Sequence, residues 1–184
     1  MSIFIRTQEF VRTNRKEIVR FLKFAVVGLI GAVVDFGVYN LLLNPFGRLL
    51  GEGTGAHAAL TGLGLTSDQV IALVPSVAGT ISFVLAIISN FFWNRYWTYP
   101  DSRSKPLGRQ FVQFFVVNVS GIVIRAPLIA VTHRPFARLT ARLVPALAAN
   151  AERWGKNLAL ALAVGIVMFW NFFVNRYWTY SDVD

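Results

Sequence analysis

The sequence predicts an all-α membrane protein, with four transmembrane helices forming two helical hairpins of one repeated design. Three observations carry this. Apolar residues make up 55% of the 184 residues and charged ones 15%, against about 25% charged in a soluble domain. The apolar residues gather in four blocks, Phe21–Leu43, Val70–Trp93, Phe111–Val131 and Leu158–Val174. The end of the second block is then written again, nearly unchanged, at the end of the fourth.

A helix rises about 1.5 Å per residue, so about 20 residues cross a hydrocarbon core of about 30 Å. The first three blocks reach that length. The fourth, with 17 residues, is short unless the aromatic residues after it are counted. The first block has 23 residues and follows some twenty others, which fits an uncleaved anchor better than a signal peptide. Ahead of it, Phe10, Ile18 and Phe21 are interleaved with Arg6, Arg12, Arg15, Lys16 and Arg20. Residues 1–20 therefore predict a basic amphipathic segment lying on the membrane surface, and residues 21–184 the four-helix domain.

Lys and Arg total 18 against 9 acidic residues, a net charge of +9. In a soluble protein this would point to nucleic acid. Here the basic residues flank apolar blocks, so anionic phospholipids are the expected partner and nucleic acid is not. Cysteine is absent and only His57 and His133 are present, so neither a disulfide nor a metal site is expected. No cofactor is expected either.

With the N-terminus inside, the cytoplasmic segments hold eleven basic residues, among them Arg95, Arg103, Lys105, Arg109 and Arg176, and the outer loops hold six. This bias predicts both termini in the cytoplasm. Five of the six outer charges lie in a predicted loop, His133–Asn157, where Arg134, Arg138 and Arg142 are spaced by four. A helix there would show them on one face, either as a solvated surface against lipid headgroups or as an outer platform that attracts phosphate.

Residues 89–101 read SNFFWNRYWTYPD and residues 170–182 read WNFFVNRYWTYSD, with ten of thirteen positions identical at an offset of 81. A weaker echo at an offset of 90 pairs Phe21, Phe24, Val26, Val27, Gly31 and Val33 with Phe111, Phe114, Val116, Val117, Gly121 and Val123. The predicted unit is thus a hairpin used twice, in residues 21–101 and 111–182. Each copy crosses the membrane an even number of times, which makes the repeat parallel rather than inverted.

The motif NFFxNRYWTY ends the second and fourth spans. Its aromatic and arginine residues suit the membrane interface. Its asparagines do not follow from anchoring. Asn90 and Asn94, like Asn171 and Asn175, are spaced i, i+4 just inside the interface, where an amide is costly without a partner. Two readings fit. The amides lock helices together, or they and the guanidinium groups of Arg95 and Arg176 surround a phosphate, which suits the planar fork of arginine.

Two charged residues fall inside spans. Asp35 and Arg125 each lie fourteen residues past the start of their blocks and are paired by the offset of 90. Charges at such depth usually face a partner or a cavity. They predict either a structural ion pair, with Arg125 alternatively snorkelling outward, or a gate in which Arg125 exchanges Asp35 for a substrate phosphate. Pro127 predicts a kink beside Arg125, and Asn118 and Ser120 add polar character to that span. Gly28 and Gly31, Ser82 and Ala86, and Ala159, Ala163 and Gly165 are small residues suited to close helix packing.

The runs KFAVVGLIGAVVDFGVYNLLL, ISFVLAIISNFFWNRYWTY and the closing NFFVNRYWTY resemble the GtrA-like family of small four-helix membrane proteins, over roughly residues 18–180. The resemblance implies a part in polysaccharide and cell-envelope pathways. It implies movement of a polyprenyl-phosphate-linked sugar, such as an undecaprenyl-phosphate sugar, across the bacterial inner membrane. The protein is then a flippase rather than an enzyme, with no catalytic residues. Asn90, Asn94, Arg95, Asn118, Asn171, Asn175, Arg176, Asp35 and Arg125 become its candidate substrate-binding residues. A homodimer is one way to complete the groove, and membrane glycosyltransferases of the same pathway are implied partners. The alternatives are an accessory anchor that recruits a glycosyltransferase and a small proton-coupled exporter using Asp35. GLIG and GLGL hold glycines without the strand-and-helix context of a phosphate loop.

Overall fold

A computed structural model describes residues 15–102 and 104–182 of the chain. The greater part of the predicted amphipathic segment, residues 1–14, lies outside the described residues, as do Arg103 and residues 183–184.

The predicted class is the observed one. Among the described residues five α-helices follow one another: α1 (Arg15–Leu50), α2 (Gly55–Gly62), α3 (Ser67–Trp93), α4 (Leu107–Leu143) and α5 (Ala151–Val174). Helices α3 and α5 each run on into a π-helical turn, Asn94–Thr98 and Asn175–Thr179, and a 3-10 turn, Pro145–Asn150, leads into α5. Among the described residues, four helical stretches are long and apolar enough to cross a membrane: Arg15–Leu50, Ser67–Thr98, Leu107–Leu143 and Pro145–Thr179.

The helices outrun the apolar blocks. The third continues twelve residues past Val131, so Arg134, Arg138 and Arg142 lie on helix rather than loop, and all three are exposed. Ala137 and Thr140 form the buried side of the same segment. Helix α4 stays helical through Pro127 and Pro135. Helix α5 begins at Ala151, seven residues before its apolar block, and has 24 residues. Its first two turns carry Glu152, Arg153 and Lys156, which hydropathy excludes although the backbone bonds are made. The outer connection of the first hairpin also holds structure. Thr54 caps α2, and Thr66 and Gln69 form a capping box on α3 that satisfies two otherwise orphan N–H groups. His57 is buried between the Leu50 carbonyl at 2.9 Å and Ser67 Oγ at 3.2 Å, pinning α2 to both flanking helices.

The chain divides into two compact units, Met1–Thr98 and Tyr99–Asp184. In the first, α1 packs antiparallel on α3: Lys23 meets Trp97, Gly31 meets Asn90, Asp35 meets Ser82 and Tyr39 meets Gly79. In the second, α4 packs antiparallel on α5, Ser120 and Gly121 meeting Trp170 and Asn171 while His133 and Ala137 meet Gly155. Phe24, Val27 and Gly31 are buried in one unit, and Phe114, Val117 and Gly121, their partners at the offset of 90, in the other. Val33 and Val123 are exposed in both. Such apolar outer faces are what a lipid environment requires.

Small residues make the close approaches, though not all the expected ones. Ala78, Ser82, Ala86, Ala159 and Ala163 are buried. Gly28 and Gly165 face open space, whereas Gly155 lies against the His133 carbonyl and Ala137. Spacing alone gives each helix a small-residue stripe but leaves its angular phase open.

Candidate functional site

The repeated motif is a widened helix end. In each copy the first asparagine, Asn90 or Asn171, has its amide packed over a glycine of the neighbouring helix. A Cβ on Gly31 would lie 2.6 Å from Asn90 Cγ, and one on Gly121 3.3 Å from Asn171 Oδ1. Only a bare backbone admits an amide this closely. The second asparagine donates back one turn: Asn94 Nδ2 to the Asn90 carbonyl at 2.9 Å, and Asn175 Nδ2 to the Asn171 carbonyl at 2.8 Å. Such back-bonding competes with the α-helical ladder. The chain leaves that ladder at these residues, and the Tyr180 N–H bonds the Asn175 carbonyl five residues earlier at 2.8 Å. Single π-helical turns of this kind concentrate at functional sites.

A lysine caps each turn, a feature hydropathy does not reveal. Lys23 Nζ donates to the Trp97 carbonyl at 3.1 Å and stands 5.5 Å from the Trp97 ring. Lys105 Nζ donates to the Trp178 carbonyl at 2.9 Å and to Ser181 Oγ at 2.6 Å. Both supply positive charge at a helix C-terminus, where the free carbonyls and the dipole favour it. The two lysines fall at neither repeat offset, so the duplication gives no signal for them.

The two copies share ten letters but not one hydrogen-bonding state. In the second unit, Thr179 Oγ1 donates to Asn175 Oδ1 at 2.8 Å, and half-buried Arg176 reaches the Tyr180 carbonyl at 3.5 Å and the Tyr177 ring at 5.7 Å. The segment after the first motif closes over it. Asp182 accepts from Ser102 Oγ at 2.5 Å and from the Ser104 N–H at 3.2 Å, Gln110 Nε2 donates to Ser102 Oγ at 2.7 Å, and Tyr99 stacks on Tyr180 with centroids 4.4 Å apart. Partial burial raises the Asp182 pKa, but the hydrogen bonds from Ser102 and Ser104 outweigh it and hold the carboxyl below its ordinary range.

In the first unit the same letters are left unmet. Arg95 is 7% exposed, yet its Nε and Nη1 have no hydrogen-bond partner. Thr98 Oγ1 and Asn94 Oδ1 are likewise buried without partners, as is Asn90 Oδ1, a state it shares with Asn171 Oδ1 of the second copy. An unmet buried polar group costs about 1–3 kcal/mol, and more when charged, so such a set calls for an explanation. Amide acceptors on Asn90 and Asn94 are followed by guanidinium and hydroxyl donors on Arg95 and Thr98 along about two turns.

The other predicted residues are placed as follows. Asn118 Nδ2 donates to its own helix at the Phe114 carbonyl, 2.8 Å away. Ser120 accepts from Trp170 Nε1 at 3.0 Å. Half-buried Asp35 accepts from Ser82 Oγ at 2.5 Å, and with Tyr39 and Gly79 these two line a cleft of about 250 Å³ in the first unit. The small Ser82, read from sequence as a packing residue, is thus a polar partner. Arg125 lies in the second unit, exposed on α4. Among the described residues no group of three His, Cys, Asp or Glu side chains could hold a metal ion.

Known proteins resemble this chain in sequence. The chain is 32% identical over 108 residues to a dolichol-phosphate mannosyltransferase of Pyrococcus furiosus, a match covering 59% of this chain and 23% of that protein. It thus spans under a quarter of that relative's length. It is 26% identical over 170 residues to the uncharacterized membrane protein YngA of Bacillus subtilis, covering 92% of this chain and 85% of that one. Residues 23–180 match the GtrA/DPMS transmembrane domain. With four membrane-spanning helices and a match over nearly its whole length, the chain is a multi-pass membrane protein that belongs to the GtrA/DPMS transmembrane-domain family.

Proposed function

We propose that the protein carries a polyprenyl-phosphate-linked sugar across the bacterial inner membrane, with both termini cytoplasmic and without bond-making chemistry of its own. The observation that carries this is the unmet polar set of the first NRYWT turn. Arg95 and Thr98 offer buried donors, and Asn90 and Asn94 offer buried acceptors. A glycosyl phosphate presents the complement, anionic oxygens for the donors and sugar hydroxyls for the acceptors. Arginine suits the phosphate because its fork donates bidentately. A free phosphate would leave the acceptors unmet, and an ordinary lipid tail would leave all of them unmet.

The second motif has the opposite role. Arg176 and Asn175 are engaged with Tyr180 and Thr179, so they hold the helix end while the first copy binds. The test is translocation in proteoliposomes loaded with a fluorescent polyprenyl-phosphate hexose. Wild-type protein should move it, Arg95→Lys should slow it at least tenfold, and Arg176→Lys should slow it less. Equal rates in wild-type and protein-free vesicles would overturn the proposal.

One observation favours a second reading. The mannosyltransferase relative is more than four times as long as the stretch it shares with this chain, so such a bundle occurs joined to a transferase. On that reading the chain anchors and recruits a separate membrane glycosyltransferase through its basic cytoplasmic face. Copurification with a transferase, together with lipid-sugar movement unaffected by deletion, would favour it.

A further inference from the structure

We infer that the cleft around Asp35 is a second ligand station, which accepts the hydroxyl-bearing ring of a glycosyl group and rejects phosphate. It lies within the first unit, holds about 250 Å³, and is lined by Ala32, Asp35, Phe36, Tyr39, Gly79 and Ser82. A carboxylate in a membrane span faces a partner or a cavity, and Asp35 has both. Ser82 Oγ occupies Oδ1, and Oδ2 accepts no hydrogen bond among the described residues. Ionised, the group has about four lone-pair sites, so most of its accepting capacity is open to the cleft.

The chemistry of the lining selects the occupant. A divalent cation needs about six or more oxygen ligands, and the cleft offers one carboxylate. A phosphate would meet that carboxylate with like charge. A glycosyl ring meets every feature. Its hydroxyls donate to Asp35, which buried Ser82 holds from behind at Oδ1 while lying 3.1 Å from the Gly79 carbonyl. Phe36 and Tyr39 give its C–H face aromatic surface, the mix of apolar wall and few polar groups usual in small-molecule sites. Gly79 keeps one wall low, since a Cβ there would already touch the Tyr39 ring at 3.9 Å.

Ser82 and Arg95 are thirteen residues apart on one continuous stretch, or roughly 20 Å along it. A sugar joined directly to its phosphate cannot span that gap, so the two stations are occupied in turn. The station presupposes the proposed glycosyl-phosphate carrier function, but its test needs no phosphate.

The experiment uses the full chain in nanodiscs and a phosphate-free alkyl hexoside bearing a photoreactive diazirine, in gluco, manno and galacto forms. At least one form should label the segments 32–39 or 79–82 saturably, with competition by excess alkyl hexoside and none by alkyl phosphate. Asp35→Asn, which keeps an acceptor for Ser82, should cut labelling about tenfold, and Gly165→Ala, which enters open space, should leave it unchanged. Gly79→Leu, filling the cleft without removing the charge, should do the same as Asp35→Asn. Non-saturable labelling by all three forms, or labelling undiminished in Asp35→Asn, overturns the station. Intact, Asp35-dependent labelling by a protein that moves no polyprenyl-phosphate hexose would instead remove the carrier function and leave a hexoside site standing.

Discussion

One substitution made in both copies of the motif separates binding from structure. Arg95→Met removes a guanidinium that is 7% exposed, with Nε and Nη1 unpartnered. Methionine is unbranched and polarizable and fills much of the same channel. In the ligand-free protein this deletes a buried charge that repays none of its desolvation at those two atoms, about 1–3 kcal/mol of relief. For a chain of this length a gain of that size corresponds to roughly 3–9 °C in Tm. Arg176→Met deletes a bond to the Tyr180 carbonyl and a contact with the Tyr177 ring, so it should cost about 1 kcal/mol. The assay is thermal unfolding of delipidated protein in detergent, with and without a short-chain polyprenyl phosphate hexose. Wild type should gain stability on adding the ligand, and Arg95→Met should start higher and gain nothing. Arg176→Met should start lower and still respond. A fall in the ligand-free Tm of Arg95→Met as large as that of Arg176→Met would show that Arg95 is structurally paired, and would refute the reasoning.

Other outcomes follow from the same geometry. Gly155→Ala puts a Cβ 2.7 Å from both Ala137 Cβ and the Ala137 backbone nitrogen, an overpacking cost of about 1–3 kcal/mol, whereas Gly165→Ala enters open space and should gain up to about 1 kcal/mol of helix propensity; paired melting curves check the sign. Thr179→Val, which breaks the 2.8 Å bond to Asn175, should destabilise by about 1 kcal/mol, and Thr98→Val, which breaks none, should be neutral or stabilising. The Asp182 clamp depends on pH. Its carboxyl is lowered in the fold, so its contribution is complete above the unfolded pKa and is lost as pH falls through the folded one. Hydrogen exchange at Ser102 and residues 104–110 should therefore rise below about pH 4, and Asp182→Asn should show the faster exchange already at neutral pH.

The number and type of the spans were legible because hydropathy records which side chains tolerate lipid, and lipid faces most of their surface: 17–22% of each span's most apolar window is buried. The same fact explains what was not legible. A helix apolar all round carries no moment that marks its packing face, so Gly28 and Gly155 could not be told apart by composition. Helix ends were misjudged for a related reason, since Glu152, Arg153 and Lys156 are polar to a hydropathy window but helical to the backbone. The asparagines were readable as costly groups in need of partners. Their packing over Gly31 and Gly121 was latent in the two offsets, which bring one glycine and one asparagine together in each hairpin.

The duplication explains why one sequence motif can serve two purposes. Asn90 and Asn171 meet the same kind of glycine, and Asn94 and Asn175 make the same backbone bond, so the widened turn is a property of the motif itself. What differs is the chain around it. The second copy is followed at once by Asp182, which Ser102 and Ser104 hold, and Lys105 caps its Trp178 and Thr179 carbonyls. At the first, Lys23 caps the Trp97 carbonyl. In the second copy Thr179 closes on Asn175, whereas in the first Arg95, Thr98 and Asn94 keep donors and acceptors to spare. Identity of letters at Arg95 and Arg176 is therefore no guide to identity of role, because the same motif residues are partnered in one copy and left unmet in the other.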